Sequence, residues 1–200
     1  MPKFPVITGT GFYHPPHCIT NDELVSSFNT YVDEYNKTHQ EAILAGTKEA
    51  LQYSTSEFIE KASGIKQRYV LDKKGVLDIK RMRPYVEERP QEALSIQAEM
   101  AINAILPALK EAKKDPKEVD AVIVSCSIFQ RQYPAISIEI QNQLQAKGFC
   151  FDMNVACSSA TFALSMAKSL IDSKQAKTVV VVNPEICSAQ LNYRDRESHF

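Results

Sequence analysis

Two patterns of apolar residues alternate along the second part of the chain. Short continuous apolar runs predict buried strands, and they cover residues 119–125, 149–153 and 177–182. Apolar residues at three-to-four spacing predict amphipathic helices, and they cover residues 93–113, 135–145 and 160–171. Strands and helices in alternation predict an α/β fold, in which a mostly parallel sheet has helices on both faces.

The first part of the chain is patterned less strongly. It predicts strands at 6–13 and 67–71, a helix from a cap at Thr20–Glu23 to residue 35, and a short helix that begins after a cap at 54–56 and is closed by Gly64. Residues 36–54 are compatible with a helix but only weakly patterned. Residues 72–92 are rich in charge and interrupted by glycine and proline, which predicts a functional surface excursion with apolar side chains of its own to pack.

Gly9 and Gly11 lie inside the first predicted strand. They permit a close backbone approach or a bulge. A dinucleotide-binding fingerprint would need a third glycine and an immediately following helix, and the sequence has neither at this place. We therefore do not expect a dinucleotide site here.

Composition narrows the function classes further. The formal net charge of the 200 residues is −1, so no basic excess indicates nucleic-acid binding. No stretch is long enough to span a bilayer and the N-terminus lacks a secretory pattern, which predicts a cytoplasmic protein. The five cysteines are widely spaced and indicate neither a disulfide framework nor a zinc site, so we expect reduced thiols and no metal.

Cys157 lies where the strand pattern of 149–153 gives way to the helix pattern of 160–171. A thiol reacts as the thiolate, and the unpaired amides and positive dipole end of a helix N-terminus favour the anion. The neighbouring Ala156, Ser158 and Ser159 are small and leave room for a substrate. These features favour a nucleophile, while the alternative from the same residues is a buried cysteine that serves as a small apolar side chain.

Polar or reactive groups follow three of the predicted strands. They are Ser125-Cys126-Ser127, the run from Asn154 to Cys157, and Asn183-Pro184-Glu185. Ligands gather at the carboxyl ends of the strands in open sheets of this class. We therefore expect the three groups to converge on one edge of the sheet.

The run from Asp152 to Ser158, followed by a helix of small residues, resembles the nucleophile motif of the β-ketoacyl-acyl carrier protein synthase III family of the thiolase fold. The resemblance extends to the segments 7–11, 57–59, 63–65, 119–125, 133–134, 183–185 and 195–196. It identifies residues 1–200 as the N-terminal half of a thiolase-like condensing enzyme, with extra segments near 26–53 and 73–92.

The resemblance implies a decarboxylating Claisen condensation in fatty acid biosynthesis. Cys157 would accept the acyl group of an acyl-coenzyme A primer, and malonyl-acyl carrier protein would then lose carbon dioxide and attack that acyl-enzyme. The amide of Cys157 would help to hold the thioester oxyanion. No cofactor is implied, since coenzyme A thioester and carrier protein are substrates. The family's catalytic histidine and asparagine are expected beyond Phe200, and His199 is interpreted as an ordinary histidine.

The resemblance also assigns binding residues. Phe58 takes the place of a tryptophan that stacks on the adenine of coenzyme A, and Arg196 that of an arginine on the other side of the base. Ser63 matches a threonine near the pantetheine entrance, whereas Ala62 replaces an arginine that contacts a phosphate. Tyr133 matches a residue that lines the acyl pocket of the partner subunit in the dimer.

A homodimer through 148–153 is implied as well, since this apolar edge strand would extend one sheet across two subunits. The departures at Phe58 and Ala62 and the two extra segments favour a primer other than acetyl-coenzyme A, such as a medium-chain acyl thioester. Two alternatives stay open. One is a related condensing enzyme of hydroxymethylglutaryl, quinolone-forming or long-chain head-to-head type, and the other is a non-catalytic subunit that pairs with an active homologue.

Overall fold

The computed structural model describes residues 4–90 and 92–200, and these form two compact units. What we call the helical unit comprises Pro15–Glu87 and Cys187–Phe200. The sheet unit comprises Glu88–Ile186 and the N-terminal residues up to His14. Gln91, which falls in the predicted excursion at 72–92, lies outside the described residues.

The sheet unit is built on three parallel strands in the order β4-β3-β5. They are β3 at Ala121–Ser125, β4 at Phe149–Met153 and β5 at Val179–Val182. The register pairs Ser125 with Met153 and Val124 with Val182, so the strands end at the same edge. The prediction of a parallel sheet is confirmed.

Helices cover both faces of this sheet. The elements are α5 at Ile96–Glu111, a 3-10 turn at Pro116–Glu118, α6 at Ile136–Leu144 and α7 at Ser159–Asp172. Successive side chains of a strand point to opposite faces. Val122 and Val124 of β3 accordingly join the core with α5 and α6, while Ala121 and Ile123 join the core with α7. The predicted α/β class with helices on both faces is confirmed.

The end of β4 is fastened to the start of α6. Asp152 accepts hydrogen bonds from the backbone amides of Ile136 and Ser137, both at 2.8 Å. The helix has no side-chain cap from Ala135, the residue that precedes it, so a carboxylate from another element satisfies its first amides. This contact fixes the strand that leads to Cys157.

The helical unit contains six helices and strands and two 3-10 turns among its described residues. They are β1 at His17–Thr20, α1 at Asn21–Thr38, α2 at Gln40–Leu44, α3 at Ser56–Ser63, β2 at Gln67–Val70, α4 at Lys73–Leu77 and the turns Cys187–Ala189 and Arg196–His199. Thr20 and Glu23 form a capping box at the start of α1, and Gly64 ends α3 with a left-handed φ of 76°. Both predicted helix signals are confirmed.

The core of the helical unit joins the two segments that the family resemblance marks as extra. Phe28 and Val32 of α1 pack with Val76 and Met82, and each is at most 1% exposed. The excursion at 72–92 therefore contributes side chains to a core, as its apolar residues predicted.

The strand predicted at residues 6–13 is wrong. Residues 6–13 are all described and form no strand. Gly9 and Gly11 lie against α5 instead, so closely that a Cβ on Gly9 would come within 2.1 Å of the Ala108 carbonyl oxygen. The amide of Thr10 donates to the Glu111 carboxylate at 2.8 Å, which replaces a strand partner. The weakly patterned 36–54 segment is helical only at its start and in α2, because the rest lacks an apolar face.

Two strands also differ from expectation. The sequence did not predict β1, whose four residues pair antiparallel with β2, because its pattern is too short to detect. The prediction that β4 is buried is wrong as well, since β4 is an outer strand with Phe149 41% exposed.

Candidate active site

Cys157 lies on the turn between β4 and α7, after Met153 and before Ser159. Its side chain is exposed, so the alternative interpretation of Cys157 as a buried apolar residue is wrong. The turn follows a strand at the carboxyl edge of the sheet and precedes the first amides of α7, where an anion is favoured. The position is the one that the sequence predicted.

Side chains from both ends of the turn hold the residue that precedes Cys157. Ala156 has a left-handed φ of 48°. Its amide donates to Asn154 Oδ1 at 2.9 Å, and its carbonyl accepts from Ser159 Oγ at 2.7 Å. Ser159 Oγ also accepts from the amide of Val155 at 2.9 Å. Two side chains thus fix both polar groups of Ala156.

The three strand ends are joined by hydrogen bonds. Asn154 Nδ2 donates to the Ser127 carbonyl at 2.8 Å, and Asn183 Nδ2 donates to the Ser125 carbonyl at 2.7 Å. Glu185 accepts from the amide of Ser127 at 2.6 Å and from its hydroxyl at 2.8 Å. The predicted convergence of these groups on one edge of the sheet is confirmed.

Gln97 anchors two of these strand ends, and sequence reasoning missed it. Its Nε2 donates to the carbonyls of Ile128 at 2.8 Å and Pro184 at 2.9 Å, while its Oε1 accepts from the amide of Gln130 at 2.6 Å. The side chain is 1% exposed, so these bonds compensate a buried amide. The available signal was a glutamine among the apolar residues of the predicted helix 93–113.

Two other thiols of the sheet unit lie in environments that oppose ionisation. Burial, reinforced by the carboxylate of Glu185, raises the pKa of Cys126 to about 12. Burial also raises the pKa of Cys150. Both groups stay protonated near neutral pH, which makes them poor nucleophiles.

Phe58 and Arg196, the predicted adenine contacts, lie together in the helical unit. The Arg196 guanidinium carbon is 3.7 Å from the centre of the Phe58 ring, and Phe200 meets the same ring edge-on at 5.6 Å. A base inserted between two planar groups needs about 7 Å between them, twice the contact distance. The two side chains therefore stack on each other, and an adenine between them requires Arg196 to swing away.

Ser63 lies at the end of α3 and bonds to its own helix. Its hydroxyl donates to the Ile59 carbonyl at 2.9 Å and accepts from the amide of Ile65 at 3.2 Å. Lys66, the lysine that follows Ala62 in the chain, is paired with Glu60 at 3.3 Å and is largely exposed. The end of α3 therefore carries polar groups on the surface of the helical unit.

Tyr133 and His199 lie in opposite environments. Tyr133 is 91% exposed and precedes Pro134 through a cis peptide bond. His199 is 1% exposed, stacks edge-on against Phe28 at 4.6 Å, and has one ring nitrogen 3.1 Å from the Tyr193 carbonyl. Burial lowers the pKa of His199. The interpretation of His199 as an ordinary histidine agrees with this packing.

Across residues 4–90 and 92–200, no helix is both long and apolar enough to cross a membrane. The same residues contain no group of three or more histidine, cysteine or acidic side chains arranged to hold a metal ion.

Comparisons with known proteins agree with this geometry. A family model described as 3-Oxoacyl-[acyl-carrier-protein (ACP)] synthase III matches residues 151–200, which include the Cys157 turn and α7. The Beta-ketodecanoyl-[acyl-carrier-protein] synthase of Pseudomonas aeruginosa is 52% identical over 176 residues, which cover 88% of this chain and 50% of that protein. The Beta-ketoacyl-[acyl-carrier-protein] synthase III of Ehrlichia canis is 29% identical and is matched over 98% of this chain and 48% of its own length.

Solved structures show the same relationship. The 3-oxoacyl-[acyl-carrier-protein] synthase III of Aquifex aeolicus superposes with a TM-score of 0.67 at 29% identity, over 96% of this chain and 48% of that one. The sheet topology, the helices on both faces and the turn at Cys157 thus assign this chain to the thiolase fold. Within that fold, the chain is similar to the 3-oxoacyl-[acyl-carrier-protein] synthase III proteins. The chain spans about half the length of the curated relatives it matches.

Proposed function

We propose that Cys157 is the acyl-accepting nucleophile of a decarboxylating condensing enzyme. The observation that carries this proposal is an exposed thiol on a strand-to-helix turn, at the edge where three parallel strand ends are bonded together. The raised pKa values of Cys126 and Cys150 leave these two thiols unsuited to the role. The names of the relatives support the same reaction class.

The proposed reaction has two bond-forming steps. The Cys157 thiolate attacks the carbonyl of an acyl-coenzyme A thioester, and coenzyme A leaves as its thiolate, which takes up a proton from water. Malonyl-acyl carrier protein then loses carbon dioxide, and the resulting enolate carbon attacks the acyl-enzyme carbonyl. The new carbon–carbon bond gives a 3-oxoacyl-acyl carrier protein, and Cys157 leaves as thiolate. The backbone amide of Cys157 is one proposed donor to the oxyanion, and no cofactor is needed.

The primer is proposed to be a medium-chain acyl thioester. The relative that shares 52% identity is named as a β-ketodecanoyl synthase, so its named product carries a ten-carbon acyl group. Malonyl contributes two of these carbons after decarboxylation, which leaves an eight-carbon primer. We therefore propose octanoyl-coenzyme A as the preferred primer of this protein.

Four further proposals come from the family resemblance. Phe58 and Arg196 bind the adenine of coenzyme A once their stack opens, and Ser63 contacts the pantetheine near the end of α3. The enzyme is a homodimer whose subunits pair along residues 148–153. Tyr133 lines the acyl pocket of the partner, for which its exposed position leaves it available.

The test is a condensation assay on the purified protein, with any further residues that the natural chain carries. Acetyl-, octanoyl- and palmitoyl-coenzyme A are each supplied with malonyl-acyl carrier protein, and the carrier-bound products are measured by mass spectrometry. We expect octanoyl-coenzyme A to give 3-oxodecanoyl carrier protein at the highest kcat/KM. Cys157→Ala should lower the rate by roughly a thousandfold or more, because the acceptor of the acyl group is gone.

Cys187→Ala is the matched control, since Cys187 is also an exposed cysteine and should keep the wild-type rate. In the same assay, Phe58→Ala should raise KM for octanoyl-coenzyme A but not for octanoyl-pantetheine, which has no adenine. Full condensation by Cys157→Ala would overturn the proposal. So would activity that appears only when an active homologue is added, or a product formed from two acyl-coenzyme A molecules without malonyl carrier protein.

A further inference from the structure

The residue immediately before Cys157 has an unusual backbone conformation. Ala156 has a φ of 48°, in the left-handed region, where a residue with a Cβ atom is disfavoured. Such residues persist only where the surrounding structure holds them, and they occur preferentially at functional sites. The structure must therefore contain contacts that keep Ala156 in this conformation.

Two side chains make those contacts. Asn154 Oδ1 accepts from the Ala156 amide at 2.9 Å, and Ser159 Oγ donates to the Ala156 carbonyl at 2.7 Å. Ser159 is 2% exposed, so its hydroxyl is held inside the protein rather than in water. Each polar group of Ala156 thus has its own side-chain partner.

The same two side chains connect the turn to its surroundings. Asn154 Nδ2 donates to the Ser127 carbonyl at the end of β3, at 2.8 Å. Ser159 Oγ accepts from the Val155 amide at 2.9 Å, and Ser159 is the first residue of α7. Ala156 is therefore fixed between a neighbouring strand end and the helix that follows Cys157.

We propose that Asn154 and Ser159 are positioning residues, which hold Ala156 in the left-handed conformation and thereby set the direction of the Cys157 thiol. A rotation about φ of Ala156 would move the cysteine relative to the strand ends that surround it. The role of the thiol as acyl acceptor rests on the proposed function, whereas the effect on thiol direction and reactivity does not.

Glycine provides the decisive test, because it adopts a positive φ without the penalty that a Cβ imposes. Three variants and their combinations are compared: Asn154→Ala, Ser159→Ala and Ala156→Gly. We expect Asn154→Ala and Ser159→Ala each to slow octanoyl transfer to Cys157 about tenfold, as expected from the loss of one hydrogen bond that restrains a strained turn. Adding Ala156→Gly to either variant should restore most of the rate.

A second readout separates this proposal from the proposed function. Alkylation of Cys157 by iodoacetamide needs no acyl-coenzyme A, and we expect it to slow severalfold in the two alanine variants and to recover with Ala156→Gly. If the wild type transfers no acyl group, the proposed function fails, and the alkylation series still decides the positioning role.

Two control variants remove comparable hydrogen bonds away from the turn and its strand ends. Ser169→Ala removes a serine bond to the Ser165 carbonyl within α7, at 3.0 Å. Asn36→Ala removes the two asparagine bonds to the backbone of Leu51 in the helical unit, at 3.0 and 2.9 Å. All rates are measured well below the unfolding transition, so that lower stability alone does not change them.

The proposal is supported if both alanine variants are slower than both controls and Ala156→Gly restores their rates. It is overturned if the alanine variants react like the wild type. It is equally overturned if Ala156→Gly leaves the slow variants unchanged, since the lost contacts would then act through something other than the conformation of Ala156.

Discussion

Cys126 and Cys157 both follow strands of the sheet unit, and their environments give the two thiols different chemistry. Cys126 is fully buried, contacts Gln97, and has a pKa raised to about 12. Cys157 is exposed on a turn that precedes a helix. A protonated, buried thiol contributes to packing, whereas an accessible one can meet a substrate.

His199 gives a prediction about the dependence of stability on pH. Its pKa is lowered by burial and by the nearby cations Arg68 and Arg196, although the Tyr193 carbonyl and Asp195 act in the opposite direction. The unfolded chain therefore takes up a proton more readily than the folded one. We expect protonation of His199 to leave the stability unchanged above about pH 6.5 and to destabilise the fold as the pH falls below it.

The measurement is the free energy of unfolding by urea at about pH 7.5 and pH 5.5, for the wild type and His199→Gln. Carboxylates titrate in both proteins, so the difference between them isolates the histidine. The wild type should lose more stability on acidification, by at most about 1.4 kcal/mol per pH unit for one proton. An equal loss in both proteins would contradict the assignment.

Among the elements of the sheet unit, β4 leads from an outer edge of the described sheet to the turn of the candidate active site. It pairs only with β3 among the described strands, and Phe149 at its start is 41% exposed. β5 is the other outer strand of the described sheet, so the geometry alone does not choose between the two edges. The family resemblance selects β4, because the proposed dimer pairs along 148–153.

Phe149→Lys should weaken that dimer, because a charged side chain on an edge strand opposes pairing with another strand. We expect the wild type to elute as a dimer in size-exclusion chromatography with light scattering, and the variant to shift toward monomer at micromolar concentration. Leu44→Lys is the control, since Leu44 is 80% exposed on α2 of the helical unit. A variant that stays fully dimeric would exclude β4 as the dimer edge.

The sequence predicted the elements that carry a strong apolar pattern. β3, with five buried residues, and α7, with its three-to-four spacing, were both found near their predicted positions. The strand predicted at residues 6–13 was wrong because a strand needs a partner strand. The apolar pattern of these residues does not show whether such a partner is present. β1 was missed because its four residues are stabilised by pairing with β2 rather than by their own pattern.

At the scale of the whole molecule, the candidate site was predictable in outline. Parallel strands must end at a common edge, so the convergence of Ser125, Asn154 and Asn183 follows from topology. The contacts that hold the site did not follow, because the partners of Gln97 are distant in sequence and depend on loop geometry. Whether residues 1–200 are one half of a duplicated fold stays a prediction.

The location of the acyl group on the protein is the most direct test of Cys157 as the nucleophile. The purified protein is incubated with octanoyl-coenzyme A without malonyl carrier protein, digested at acidic pH, and mapped by mass spectrometry. We expect an octanoyl thioester on the peptide that contains Cys157, none on Cys126 or Cys150, and loss of the label when malonyl-acyl carrier protein is added. An octanoyl group on another residue, or one that persists in Cys157→Ala, would contradict the central claim.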